Sequence, residues 1–228
     1  MKKKTVLAVL LALAVVLPVT ASEFTADAYA AGVTKYLWRG QLLNDGFAVQ
    51  PGFNIGLGGI ALGFWGSYHI ESGEFAEADL TVSYSDTVPG ADMLTLSTGF
   101  TVYTFPYVSP SAGNNSTEIF AGLSADVISA PYVKFFYDTV AGAGGYLEAG
   151  LSHEMELSPV TALAAVTCGY NFGQWGYDKS LTVLAGTLSV SYPVFEKLSV
   201  SAALTGQLAL DTQYENDGFG TLSVSYGF

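Results

Sequence analysis

Basic residues are scarce in this sequence. Its 228 residues include 8 Lys+Arg against 20 Asp+Glu, which gives a formal net charge of -12. A protein that binds nucleic acid through phosphate contacts needs clustered Lys and Arg side chains. A nucleic-acid partner is therefore not expected.

Cysteine and long apolar runs are also missing. Cys168 is the only cysteine, so an intrachain disulfide is impossible. Half of the residues (50%) are hydrophobic, which is too apolar for a disordered chain. Beyond residue 20, however, no apolar run approaches the roughly 18 residues that a membrane helix needs. The hydrophobic residues are spread along the chain, so they belong to a structure other than a membrane-spanning helix.

The N-terminus has the pattern of a secretory signal peptide. Three lysines near the start precede an apolar segment, residues 6–19, and small side chains follow it. We predict a signal peptide of residues 1–21, cleaved between Ala21 and Ser22, and one mature domain, 22–228. Loss of the three leader lysines leaves five of the eight basic residues against 20 acidic ones.

Past the leader, apolar and small polar residues alternate with a period of two, which is typical of β-strands with one wet face. In segment 198–210, for example, leucines and valine share one face while serines, Thr205 and Gln207 share the other. The pattern predicts about twelve strands: 25–38, 47–57, 60–70, 77–85, 93–105, 117–127, 132–138, 146–157, 161–171, 181–194, 198–210 and 219–228.

These segments fit an all-β fold, a transmembrane up-and-down antiparallel β-barrel of about 12 strands. Longer polar loops alternate with mostly shorter turns, as expected if the two ends lie on opposite sides of a membrane. Only helices and closed barrels satisfy backbone hydrogen bonds in lipid. A soluble periplasmic β-sandwich or ligand-binding barrel shows the same alternation. Its water-exposed face would usually carry many Lys and Glu residues, whereas small hydroxyl residues, Gly and Ala dominate here, so the sequence favours the membrane barrel.

The C-terminal segment ends on an aromatic residue in phase with its apolar face. Leu222, Val224, Tyr226 and Phe228 alternate with small residues. This resembles the C-terminal assembly signal that the barrel-insertion machinery of Gram-negative bacteria reads. We therefore assign Tyr226 and Phe228 to an assembly signal and expect outer-membrane lipids as the surroundings. Other aromatic residues near strand ends are interpreted as interfacial girdles.

Several short motifs occur in a characteristic order in the first two thirds of the chain. They are Tyr36-Leu37-Trp38-Arg39-Gly40, Gly63-Phe64-Trp65-Gly66-Ser67 and Glu77-Ala78-Asp79-Leu80. With the segments that follow, this order resembles the TorF-type porins over roughly residues 30–157. The resemblance implies an outer-membrane β-barrel of porin type and carries over no catalytic or metal-binding residue.

Strand parity predicts which charged residues face the lumen. Arg or Lys on the lipid face near mid-membrane costs about 2–4 kcal/mol, so the face of the first strand that carries Lys35 and Arg39 should point inward. Tyr36 and Trp38 should then point outward. The same logic gives the candidate pore-lining residues Lys35, Arg39, Gln50, Asn54, Trp65, Glu77, Asp79, Glu118, Asp126, Lys134, Asp138 and Glu148.

The function predicted from these features is a porin-like channel for passive diffusion of small polar solutes. Acids outnumber bases among the candidates, which favours cationic or zwitterionic solutes. No catalytic residue, metal site or cofactor is predicted. Two alternatives stay open: a closed structural or adhesive barrel, and an outer-membrane hydrolase using Ser67 and His69.

Overall fold

The computed structural model describes residues 24–107 and 115–228, so the predicted signal peptide lies outside the described residues. The described part contains fourteen strands and one turn of 3-10 helix, Gln174–Gly176. The strands are β1 Phe24–Val33, β2 Tyr36–Trp38, β3 Gln41–Asn44, β4 Ala48–Leu57, β5 Ile60–His69, β6 Glu74–Val88, β7 Ala91–Thr104, β8 Asn115–Ala125, β9 Tyr132–Asp138, β10 Gly145–Leu157, β11 Val160–Asn171, β12 Ser180–Phe195, β13 Leu198–Ala209 and β14 Asp217–Gly227.

Among the described residues, β1 and β4 to β14 form a closed antiparallel barrel of twelve strands. Each barrel strand pairs with its neighbours along the chain, and β1 pairs with β14 to close the ring, for example Ala30 with Val224. Closure gives every barrel strand two hydrogen-bonded partners and leaves no open edge. The predicted fold class, a transmembrane up-and-down β-barrel, is confirmed.

The two ends of the barrel differ in their connections. At what we call the turn end, the connections are 58–59, 89–90, 126–131, 158–159 and 196–197, and Phe24 and Phe228 lie there as well. The other end, the loop end, carries the longer connections. The first of these, between Val33 and Ala48, contains β2 and β3, which pair only with each other.

Alternation explains the high hydrophobic content. On β13, Leu204 and Leu208 point outward and are 72% and 58% exposed, whereas Gln207 between them is buried. Inside, small hydroxyl side chains bond across strands, as Ser201 Oγ does with Ser223 Oγ at 2.6 Å. The apolar half of each strand therefore forms the lipid-facing surface.

The predicted C-terminal boundary of the first strand, 25–38, is wrong. The barrel strand stops at Val33, and residues 36–38 belong to a separate hairpin inside the barrel. Tyr36 is buried, and Trp38 packs against Tyr103 of β7, so neither side chain points outward as predicted. Lys35, just before the hairpin, is held at the rim by two carboxylates, a long-range contact that local alternation does not reveal.

A second correction concerns Asp126. The predicted strand 117–127 ends at Ala125, and Asp126 begins an exposed connection at the turn end. Its backbone N–H donates to the Met93 carbonyl at 2.7 Å, which extends the β7–β8 register by one residue beyond Ala125. Asp126 is therefore at the edge of the barrel rather than on a strand.

Within residues 24–107 and 115–228, no helix combines the length and the apolar character needed to cross a bilayer.

Replacing Phe228 by alanine is expected to reduce the yield of assembled barrel several-fold. The Phe228 ring is 72% exposed on the outer surface and packs edge-on against Tyr226, with 5.2 Å between ring centroids. Ser225→Ala is the control, because this serine faces the interior on the same strand. The heat-modifiable, folded band on unheated gels measures assembly. Equal folded fractions for both variants would contradict the assignment of an assembly signal.

Candidate functional site

The connection between β1 and β4 folds into the barrel as a two-stranded hairpin, residues 36–44, which we call the inner hairpin. Its strands pair Trp38 with Gln41, and the turn residues Arg39 and Gly40 have φ angles of 51° and 85°. Positive φ at both central residues is the signature of a type I′ turn, in which glycine is favoured at the second position. The Arg-Gly pair of the sequence motif is therefore the tip of this hairpin.

Arg39 joins the tip to the opposite wall of the barrel. Its two terminal nitrogens donate to the two carboxylate oxygens of Glu118 at 2.6 and 2.8 Å, and Nη1 also donates to Gln174 Oε1 at 2.8 Å. Gln174 Nε2 in turn donates to Glu118 at 2.6 Å. The Arg39 and Glu118 side chains are only 6% and 1% exposed. Such a bidentate, buried pair stabilises the contact between the hairpin and the wall and also fixes the orientation of the two side chains.

Aromatic rings surround the Arg39 guanidinium. Its central carbon lies 4.4, 4.1 and 4.5 Å from the ring centroids of Trp38, Phe136 and Tyr146. Tyr103 completes the cluster by donating from its hydroxyl to Glu118 at 2.9 Å. Stacking on aromatic faces suits the planar, weakly hydrated guanidinium better than an ammonium group.

Gly40 extends the contact further round the wall. Gln207 on β13 donates to the Gly40 carbonyl oxygen at 3.3 Å. A methyl group at Gly40 would lie 2.9 Å from both Tyr214 and Val183. Together with the Arg39 contact to Glu118, these contacts place the hairpin tip across the bore, between β8 on one side and β12 and β13 on the other.

Gly40→Ala is expected to displace the hairpin tip and to destabilise its docked position by about 1–2 kcal/mol, because alanine is strained at this φ and clashes with the wall. The matched control is Gly90→Ala. Gly90 has a similar φ of 79°, but nothing lies within 4 Å of an added methyl group. Limited proteolysis at the loop end measures undocking, and equal cleavage of the two variants would contradict tight packing at Gly40.

Other connections at the loop end close over the hairpin. Trp175 contacts Trp38 and Phe105, with ring centroids 6.5 and 6.0 Å apart. The backbone N–H of Trp175 donates to the Gly142 carbonyl at 2.8 Å. Asp138, a predicted pore-lining residue, is fully buried and accepts backbone N–H groups of the connection 139–144. Its contacts organise this loop.

Lys35 lies at the rim, where Nζ is 2.9 Å from Asp45 and 3.1 Å from Asp217. Hydrogen bonds to Asp45 and Asp217 raise the pKa of Lys35. A raised lysine pKa keeps the pairing intact at neutral pH, and the pairing is lost only as the pH rises through that pKa. These contacts hold the start of the hairpin connection at the barrel mouth.

The wall formed by β5 and β6 is acidic. Glu77 pairs in register with Ser67, and Asp79 pairs with Trp65, so the four side chains share one face. Trp65 also contacts Tyr36 of the inner hairpin, with 5.3 Å between ring centroids. In residues 24–107 and 115–228 the ion pairs join Lys35 to Asp45 and Asp217 and Arg39 to Glu118, and none involves Glu77 or Asp79.

A cavity of about 220 Å³ lies beside the hairpin tip on the other side of the bore. Arg39, Tyr146 and Glu148 line it, together with Gln207 and threonines of β11 to β13. Glu148 accepts a hydrogen bond from the Tyr132 hydroxyl at 2.8 Å. Lys134, its register partner, places Nζ 3.9 Å from the Phe120 ring centroid.

The structure brings together only some of the predicted lumen residues. Arg39 meets Glu118, Trp65 adjoins Glu77 and Asp79, and Lys134 adjoins Glu148. Two others lie on β4: Gln50 is buried, and Asn54 donates to Asp27 at 3.0 Å. Sequence reasoning missed Gln174 and Tyr103, which complete the Arg39 cluster. Gln174 sits in a loop between strands, where alternation carries no signal.

The geometry does not pair Ser67 with His69. Ser67 Oγ is buried without a hydrogen-bond partner among the described residues, so it does not bond to the imidazole. The described residues likewise contain no group of three or more His, Cys, Asp or Glu side chains placed to hold a metal ion.

Comparison with solved structures finds the same architecture in outer-membrane porins. The KdgM porin superposes with a TM-score of 0.60 at 10% identity, over 89% of this chain and 99% of that one. The NanC porin gives 0.60 at 10% identity, over 87% and 98%. A KdgM porin in complex with disordered oligogalacturonate gives 0.57 at 10% identity, over 90% and 99%. At these identities the likeness concerns the fold.

Sequence comparison assigns the family. No curated protein gives a significant match. One family model, described as "Bacterial protein of unknown function (Gcw_chp)", matches residues 18–217. This match does not confirm the resemblance to the TorF-type porins. Because the matched segment covers most of the barrel, the chain belongs to the Gcw_chp family of bacterial proteins.

Proposed function

We propose that this protein is a bacterial outer-membrane channel for passive diffusion of small polar solutes, with a preference for cations or zwitterions. The predicted signal peptide and the porin-like barrel support this location, with the turn end, where β1 begins and β14 ends, in the periplasm. Passage would depend on size and charge in the lumen and would involve no chemical step.

The observation that carries the proposal is the charge distribution around the inner hairpin. Arg39, the basic group at the centre of the bore, is neutralised by Glu118. Glu77 and Asp79 line the passage without a basic partner among the described residues. Unpaired carboxylates in a narrow, low-dielectric passage concentrate cations and repel anions.

Small hydroxyl groups dominate the lumen toward the turn end. Ser199 bonds to Ser225 and Ser201 to Ser223, at 2.7 and 2.6 Å. These short side chains leave space in that half of the barrel, while the inner hairpin fills the other half. The restriction on passage would therefore lie at the loop end.

One similar structure, a KdgM porin, is in complex with oligogalacturonate, which is an anionic polymer. The acidic β5–β6 wall of the present chain does not favour a solute of that charge. The fold is shared, but we propose opposite charge selectivity here.

Liposome swelling tests the proposal. Proteoliposomes containing the folded barrel should swell faster in lysine hydrochloride than in an uncharged sugar of similar size, and slowest in sodium glutamate. Faster entry of glutamate would contradict the charge preference. Liposomes with heat-denatured protein provide the background.

A closed structural barrel is the second candidate, and the docking of the inner hairpin favours it. The tip is held in place by the Arg39 contacts, by the packing of Gly40 and by the aromatic rings around the guanidinium. No swelling above background in any solute, from protein shown to be folded by heat modifiability, would support this candidate and overturn the channel.

A further inference from the structure

We propose that Glu77, Asp79 and Ser67 form a binding site for a compact monovalent cation beside the inner hairpin, either an alkali ion or the ammonium group of a solute. The inference deepens the proposed function and rests on it for its physiological meaning. The cation preference of the passage then arises at this site.

The three side chains converge because of the strand register. Ser67 on β5 lies directly opposite Glu77 on β6, and Trp65 lies opposite Asp79. Side chains opposite each other on one sheet face have their Cβ atoms about 4.5–5.5 Å apart. Ser67 is 0% exposed and Glu77 is 6% exposed. Two carboxylates and a hydroxyl therefore share one enclosed patch of the inner wall.

Two polar atoms of this patch are free to contact a ligand. Ser67 Oγ and Asp79 Oδ1 are both buried, and neither has a hydrogen-bond partner among the described residues. Leaving a buried polar atom unpaired is costly, and more so for a charged group. An oxygen-coordinated cation satisfies both atoms at once.

The basic residues of the interior do not supply this charge. Arg39 is committed to Glu118, and Lys35 is committed to Asp45 and Asp217 at the rim. Lys134 has its Nζ over the Phe120 ring on another wall. The remaining basic residues past the leader, Lys179 and Lys197, lie in connections between strands. No Lys or Arg side chain among the described residues balances Glu77 and Asp79, so this part of the wall is available to a mobile cation.

The donor set suits a monovalent cation. Calcium takes six to eight oxygen ligands and magnesium demands near-octahedral geometry, whereas this wall offers two carboxylates and one hydroxyl. The Tyr36–Trp65 aromatic pair adjoins the carboxylates and presents ring faces that attract an ammonium group.

Tryptophan fluorescence of the full-length, detergent-solubilised barrel tests the site. The probes are potassium chloride and methylammonium chloride, with N-methylglucamine chloride as a bulky control at equal ionic strength. We expect a saturable change with at least one compact cation and none with N-methylglucamine. The better-binding probe identifies the ligand as an alkali ion or an ammonium group. Trp65→Phe should abolish the signal, because Trp65 adjoins Asp79.

Neutral variants locate the binding. The double variant Glu77→Gln/Asp79→Asn should weaken the apparent affinity by about tenfold or more, since it removes both charges. Ser67→Ala should weaken it less and serves as a second variant if the double variant fails to fold. Glu154→Gln, an exposed carboxylate near the turn end, should leave the affinity unchanged.

The outcomes separate this site from the channel proposal. Equal titration curves for wild type and the double variant, or an equal response to N-methylglucamine, would overturn the site even if the barrel conducts. Saturable binding lost in the double variant, in a barrel that conducts no ions, would establish the site and overturn the channel.

Discussion

Deleting residues 36–44 and joining Lys35 to Asp45 is expected to raise the single-channel conductance several-fold. The deleted segment is the inner hairpin, whose tip contacts Glu118 on β8 at one side of the bore and Gln207 on β13 at the other. Val33 and Ala48 are register partners on adjacent strands. Five residues remain between them, which lies within the usual length of hairpin loops. The barrel should therefore close normally around an emptier lumen.

The control for this deletion shortens the connection 126–131 at the turn end to two residues. That connection lies outside the lumen, so its loss should leave the conductance unchanged. Planar-bilayer recording in symmetric potassium chloride compares the two variants. Equal conductance of the hairpin deletion and wild type, with both folded, would show that the inner hairpin does not restrict passage.

Replacing Arg39 by alanine is expected to loosen the inner hairpin by about 3–5 kcal/mol, because the change leaves the buried Glu118 carboxylate without its partner. The cation–π contacts with Trp38, Phe136 and Tyr146 are lost as well. In planar-bilayer recordings, the conductance of this variant should often rise for short periods to the larger value expected for the hairpin deletion.

A double-mutant cycle distinguishes the buried pair from simple loss of packing. The variant Arg39→Ala/Glu118→Ala removes both charges, so its destabilisation should be clearly smaller than the sum of the two single changes. Lys35→Ala, which removes two partly exposed ion pairs at the rim, should have a much smaller effect than Arg39→Ala. Additive effects of the Arg39 and Glu118 changes would contradict the role given to this pair.

Most of the barrel could be predicted from alternation, because the outward face of each strand is apolar and the inward face carries mostly small polar residues. Segment 198–210 shows this well, since β13 runs from Leu198 to Ala209. The inner hairpin could not be predicted in the same way. Residues 36–38 continue the alternation of β1, and no proline or glycine marks the break between Val33 and Tyr36.

The position of Arg39 inside the barrel could be predicted from the sequence, but its partners could not. The cost of a charge in lipid placed Arg39 inside the barrel, and it does lie there, but at a hairpin tip rather than on a wall strand. Its partner Glu118 is 79 residues away in sequence, so only closure of the barrel brings them together. Gln174, in a loop, becomes a partner through the same closure.

Charge selectivity tests the central claim most directly. Purified, folded protein in a planar bilayer under a gradient of potassium chloride gives a reversal potential, whose sign reports whether K⁺ or Cl⁻ permeates more easily. The acidic wall of Glu77 and Asp79 predicts a potential toward the potassium equilibrium value. A potential toward the chloride equilibrium value, or no conductance from a correctly folded barrel, would contradict the account.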